Sequence, residues 1–232
     1  MNNDNYAKTL SCARVLFGAL SLVVMANVVA AEDEGALSVS HDGLEVVTDK
    51  RNTEVHLLPD VDWSKYGQYM LVEPQVSFKE NWQRDYNREQ RSLTTKVKDK
   101  DMLRIKRSVA DNMSEILTDV LSEKSDLTVV QEAASGVLLL KPIVTNLDVT
   151  APDLQTATRS KTYVRSAGSA TISLEIYDSV SGAILGRWID RRTAPDYGYA
   201  QWATRTSNRR EARLVIRHWA ERLVEGLQEL RQ

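Results

Sequence analysis

Apolar residues recur along this chain with two different periods. Met102, Ile105, Val109, Met113, Ile116 and Val120 follow one another at three- and four-residue steps, which places them on one side of an α-helix. The spacing predicts a helix of about 24 residues from near Asp99 to Lys124, with Asp99 or Asp101 accepting its first free amides. A second stripe, Ala212, Val215, Ile216, Trp219, Leu223, Leu227 and Leu230, predicts a closing helix. Asn208 and Glu211 have the spacing of a capping box at its start. The period of two is clearest where Ala170, Ile172, Leu174 and Ile176 alternate with Ser169, Thr171, Ser173 and Glu175. That is a strand with one buried face. Asp178 to Gly182 then reads as a hairpin turn whose glycine takes the left-handed conformation, and Ile184 to Arg191 as the return strand.

Shorter runs complete the order. Leu44 to Val47 and Val55 to Leu58 predict a small hairpin, and Tyr69 to Phe78 a half-buried strand that is bulged or at an edge near Pro74, which has no N–H to donate. Thr128 to Gln131 and Val137 to Val144 are further strands, the second continuous enough to be central, with Pro142 as a late bend. Asn81 to Lys98 and Asp148 to Arg165 are polar connections. Two long helices with one stripe each, set against about five strands, imply a two-layer α+β sandwich with both helices on one face of a mostly antiparallel sheet.

The N-terminus carries a different signal. Lys8 and Arg14 precede an apolar run of 15 residues, Val15 to Val29, closed by Ala30-Ala31 and followed by Glu32-Asp33-Glu34. This predicts a secretory signal peptide over 1–31, cut after Ala30 or Ala31. A permanent span needs about 20 apolar residues, so no transmembrane segment is expected after cleavage. Cys12 lies before the apolar run, whereas a lipid-modified cysteine follows it; lipid anchoring is therefore not expected. The expected organisation is a signal peptide, a loose segment with a short β-hairpin over 32–60, and a single α+β domain over 61–232. The exported part lacks cysteine, which removes disulfides, thiol nucleophiles and thiolate metal ligands.

Composition narrows the function classes. The chain has 30 basic and 32 acidic side chains, so it lacks the basic excess of a nucleic-acid binder. Residues 32–150 hold 15 basic and 22 acidic groups, residues 151–232 hold 13 and 9, and twelve of those thirteen are arginine. Either the two parts neutralise each other across one body, or the arginines meet an anionic partner such as lipid headgroups, whose phosphates they fork. No phosphate-cradling glycine loop, zinc-binding histidine pair or nucleophile elbow is present. His41, His56 and His218 are scattered, so no catalytic residue, metal ligand or cofactor is assigned. Trp82, Arg84 and Tyr86, and then Tyr197, Tyr199 and Trp202, are aromatic clusters in predicted loops. Such residues suit recognition surfaces. The alternative is that the rings fold back to seal the ends of the sheet.

Several short stretches, taken in order, carry a resemblance. They are Asp62-Trp63-Ser64-Lys65-Tyr66, Val72-Glu73-Pro74, Asn81-Trp82-Gln83-Arg84, Ala151-Pro152-Asp153, Ala167-Gly168, Leu174 to Ser179 with Gly182, Asp190-Arg191-Arg192, and Trp219. Together they make residues 44–230 similar to exported proteins of Gram-negative bacteria catalogued as domain of unknown function 3313. The resemblance implies export, in many members as lipoproteins, and no established activity. The resulting expectation is a periplasmic, non-catalytic binding or accessory module whose partner is an envelope protein or an anionic envelope lipid. The alternatives are a hydrolase of cell-wall or lipid substrates and a structural homo-oligomer.

Overall fold

A computed structural model describes residues 42–50, 52–150, 152, 162–164, 168–193, 201–203 and 205–232. The first hairpin is β1 (Glu45–Lys50) and β2 (Thr53–Leu57). Next come β3 (Gln68–Leu71), β4 (Gln75–Phe78), helix α1 (Trp82–Glu89) and helix α2 (Asp99–Lys124). The two-residue β5 (Thr128–Val129), the long β6 (Val137–Val149) and a short β7 (Thr162–Val164) follow. The hairpin β8 (Gly168–Asp178) and β9 (Ile184–Thr193), β10 (Gln201–Ala203) and helix α3 (Arg205–Arg231) complete the chain.

Among the described residues the class is α+β, with three α-helices and a mixed eight-stranded sheet in the order β1-β2-β9-β8-β6-β3-β5, β4 pairing with β6 beside β3. This corrects the expected five-stranded, mostly antiparallel sheet with two helices. Pairings from β1 to β6 are antiparallel, but β3 and β4 run parallel to β6, and β5 parallel to β3. The cause is connectivity. A helix, not a hairpin, carries the chain from β4 back to the start of β6, and a helical crossover returns a strand in the same direction. β7 and β10 form a separate antiparallel pair.

The strand predicted over Tyr69–Phe78 is split. Leu71 pairs with Leu140 and Gln75 with Ile143, so three residues, Val72 to Pro74, stand opposite two, Lys141 and Pro142. Prolines on both sides of the gap lack a donor, and the extra residue bulges. The Val72 amide still donates to Leu140 O at 2.9 Å. α1 was expected as a polar connection; its eight residues carry their period in Trp82 and Tyr86, which is too short a run to stand out in an otherwise charged segment.

Directly paired residues share a sheet face. Leu138, Leu140 and Val144 of β6 and Ile172, Leu174 and Ile176 of β8 are buried against one core. Met113, Ile116, Leu117 and Val120 of α2 and Trp219, Leu223 and Leu227 of α3 complete it. Both long helices therefore cover one face, as predicted. Arg213–Glu115 at 2.8 Å, Arg217–Glu123 at 3.6 Å and Lys124–Glu221 at 2.7 Å join them. The partners rise in number together, so the helices run parallel.

Terminal details follow local chemistry. Asp101, rather than Asp99, caps α2: its carboxylate accepts the Lys98 amide at 3.0 Å and the Arg104 guanidinium at 3.1 Å. α3 begins at Arg205, so Asn208 lies inside the helix and is not its cap. Gly182 takes φ +69 in the β8–β9 turn, the left-handed conformation its position demands. Asp178 anchors that turn, accepting the Val180 and Ser181 amides at 3.1 and 2.8 Å and the Tyr66 hydroxyl at 2.9 Å. Those donors hold its carboxyl down at about 2.

Candidate functional site

Among the described residues, the helix-free face of the sheet carries a joined set of four charges, Asp42, Lys141, Glu175 and Arg187. Alternation that buries Leu174 and Ile176 turns Glu175 and Tyr177 the other way. Register then sets Lys141 of β6 on one side of Glu175 and Arg187 of β9 on the other. Lys141 Nζ lies 3.0 Å from Glu175 Oε2, Arg187 Nη2 lies 3.4 Å from Oε1, and the Tyr177 hydroxyl donates to Oε2 at 2.8 Å. Asp42 takes the outer side of Arg187 at 2.5 Å. All five residues are half-buried.

Protonation is settled by these neighbours. Burial pushes the Glu175 carboxyl up, but the Tyr177 hydroxyl, the Lys141 ammonium and the Arg187 charge outweigh it and hold it below the ordinary carboxylate range. Burial and the Glu175 carboxylate push Tyr177 up to about 12. At neutral pH one group is fixed as an anion and the other as a neutral donor. Neither is poised to exchange a proton. The arrangement can present fixed charges of alternating sign, which orients a polar partner.

The network escaped the sequence reading, although its signal is there. Lys141 is the one charged residue in the apolar run Val137 to Val144, and Glu175 occupies an outward slot in the best-patterned strand. Alternation identifies the slots; only register shows that they are neighbours.

The aromatic candidates are distributed differently. Trp82, 6% exposed, stacks between Phe78 at 4.5 Å and Tyr86 at 5.6 Å between ring centroids. Tyr86 is half-buried, while Arg84 is exposed beside Asp85 at 3.0 Å. They sit on a helix, not in a loop, and the rings close the end of the sheet. Tyr197 and Tyr199 lie outside the described residues, as does the side chain of Trp202, whose backbone belongs to β10. His41 also lies outside them.

Of the other histidines, His56 on β2 faces away from the long helices, its Nε2 3.6 Å from Glu54 Oε2, and His218 is exposed on α3. A hydrolytic site that works through histidine needs that residue joined to acids in one place. These two are on different layers. Among the described residues no three His, Cys, Asp or Glu side chains gather as metal ligands would, and no helix is long and apolar enough to cross a membrane.

A family model of proteins of unknown function, DUF3313, matches residues 32–223. The chain belongs to this family. Two of the stretches that carry the DUF3313 resemblance meet in space: Asp62 to Tyr66 forms a short 3-10 turn whose Tyr66 hydroxyl reaches Asp178, 112 residues on. Their role is to join β3 to the β8–β9 turn. No curated protein matches.

Several solved structures are similar to the chain at low identity and low TM-score. The PelC dodecamer from Paraburkholderia phytofirmans is 13% identical, with a TM-score of 0.35, over 72% of this chain and 96% of that one. A Xanthomonas campestris protein assigned to DUF330 is 8% identical, with a TM-score of 0.37, over 72% and 86%. A putative neuraminyllactose-binding hemagglutinin homologue from Helicobacter pylori is 14% identical, with a TM-score of 0.31, over 72% and 92%. At these scores the likenesses add nothing to the functional argument.

Proposed function

We propose that the chain is exported to the periplasm and serves there as a non-catalytic binding or accessory module of the cell envelope. The observation that carries the binding reading is the helix-free face, where Glu175 is fixed as an anion between Lys141 and Arg187. Preset charges on a broad sheet complement a partner's surface and lend specificity and orientation more than raw affinity. The export reading rests on Lys8 and Arg14, the run Val15–Val29 and the small residues Ala30-Ala31.

A second reading, a structural homo-oligomer, draws on the sheet's end. β1 pairs only with β2 among the described residues, and an unpaired edge is a template for another strand. That edge would then meet a second copy.

Export is tested by fractionating cells that express the full chain. The protein is expected in the osmotic-shock fraction, with a mass showing loss of the first 30 or 31 residues. Recovery from the cytosol at full-length mass would overturn that part of the proposal.

A further inference from the structure

The acidic first part of the chain contains a basic corner. Residues 84–107 hold nine Lys and Arg against four Asp and Glu, whereas residues 32–150 as a whole have a seven-charge acidic excess. The fold gathers this stretch into one place. The Asn87 side chain accepts the Val97 amide at 2.7 Å and donates to its carbonyl at 2.9 Å. Gln83 donates to Val97 O at 3.2 Å and to Asp99 at 2.9 Å. α1 thus packs on the segment leading into α2, with Trp82, Gln83, Tyr86 and Asn87 turned inward.

That packing decides what faces water. Arg84, Arg88 and Arg91, spaced four and three apart, are all exposed. On α2, Lys100 and Arg107 are exposed, and Lys106 is half-buried. Of these cations, only Arg84 has an ion pair with a described residue. The same stretch holds the two most exposed large apolar side chains among the described residues, Leu93 at 77% and Leu103 at 68%. Of the three- and four-residue neighbours of Leu103 on the helix surface, Lys100, Lys106 and Arg107 are cations and the fourth, Asp99, accepts the Gln83 amide.

We infer that this corner docks on an anionic phospholipid surface, with Leu93 and Leu103 entering the headgroup boundary and the surrounding cations meeting the phosphates. Clusters of four to eight Lys and Arg on a helix surface are a signature of binding to anionic headgroups. Exposed leucines add apolar burial there, whereas a nucleic-acid backbone offers them nothing. The inference deepens the envelope reading by naming one partner, and it rests on that reading for the membrane's being within reach. Vesicle binding is measured outside the cell, so its result and that of fractionation fail independently.

The test is co-sedimentation of the full chain with vesicles of phosphatidylglycerol and phosphatidylcholine in a one-to-three ratio, and of phosphatidylcholine alone. The N-terminal apolar run contributes equally to every variant, so variants are compared with one another. The corner variant K100E/R107E is expected to lose at least about tenfold in affinity for the anionic vesicles. The control K50E/R210E makes the same net-charge change at exposed cations outside the corner and is expected to change little. L93S/L103S, which leaves charge alone, is expected to weaken binding as well. Equal losses in the corner and control variants, or equal binding to neutral vesicles, would overturn the inference. So would capture of the protein by duplex DNA as strong as by vesicles, with L93S/L103S having no effect.

Discussion

Trp219→Ala is expected to lower stability by about 3–5 kcal/mol, the usual range for deleting a fully buried tryptophan. Trp219 is 0% exposed at the centre of the core, where α3 meets the sheet. Alanine would leave a void walled by side chains from two helices and several strands, and close-packed interiors collapse only partly around such voids. The indole nitrogen makes no hydrogen bond with a described residue, so no polar contact is lost. Trp219→Phe should therefore cost far less, about 1–2 kcal/mol. Urea unfolding of both variants checks the pair. Near-equal losses would mean that the site depends on the indole N–H and not on volume.

Arg192→Leu should cost about 3 kcal/mol, for a different reason: removing the closer cation from a buried carboxylate leaves that charge with only a longer ion pair. Asp190 is 0% exposed on the helix-covered face. Its carboxylate accepts Arg192 Nε at 2.9 Å, Arg222 Nη1 at 3.4 Å and the Thr53 hydroxyl at 3.4 Å. Arg192 supplies the close contact; the other two are long. Asp190→Asn should be milder, because both arginine side chains keep about a quarter to a third of their surface in water. In the double variant D190N/R192L the cost should fall below that of R192L alone, since the stranded charge is gone. Additive losses in urea unfolding would show that Asp190 does not depend on Arg192.

How much of this was legible in the sequence depended on how far apart the deciding residues lie. The stripe from Met102 to Val120 is continuous, and the helix it predicts spans Asp99–Lys124 as observed. The alternation at Ala170–Ile176 and the glycine at 182 are also local, and the β8–β9 hairpin follows them. Parallel pairing of β3 and β4 with β6 was not legible, because it depends on where a helical crossover lands and leaves no mark on the strands. A two-residue strand such as β5 has no pattern to read.

The candidate site divides the same way. Aromatic residues drew attention to Trp82 and Tyr86, yet their spacing puts the rings against Phe78 and the end of the sheet. Lys141, Glu175 and Arg187 are 34 and 12 residues apart along the chain and become neighbours only through strand register. Charge counted over halves of the chain also concealed the basic corner at 84–107, since acids elsewhere in the first half outnumber it.

Envelope binding through the helix-free face is tested most directly by a photo-crosslinking amino acid placed at Thr171 or Ser173 in intact cells, with exposed Glu229 on α3 as the control position. One discrete adduct with an envelope component is expected from the sheet positions, absent from position 229 and lost when Arg187→Glu reverses the charge beside Glu175. An adduct of two copies of the chain would move the reading to a homo-oligomer. Equal crosslinking from all three positions, or only a smear of abundant proteins, would contradict a binding role for this face.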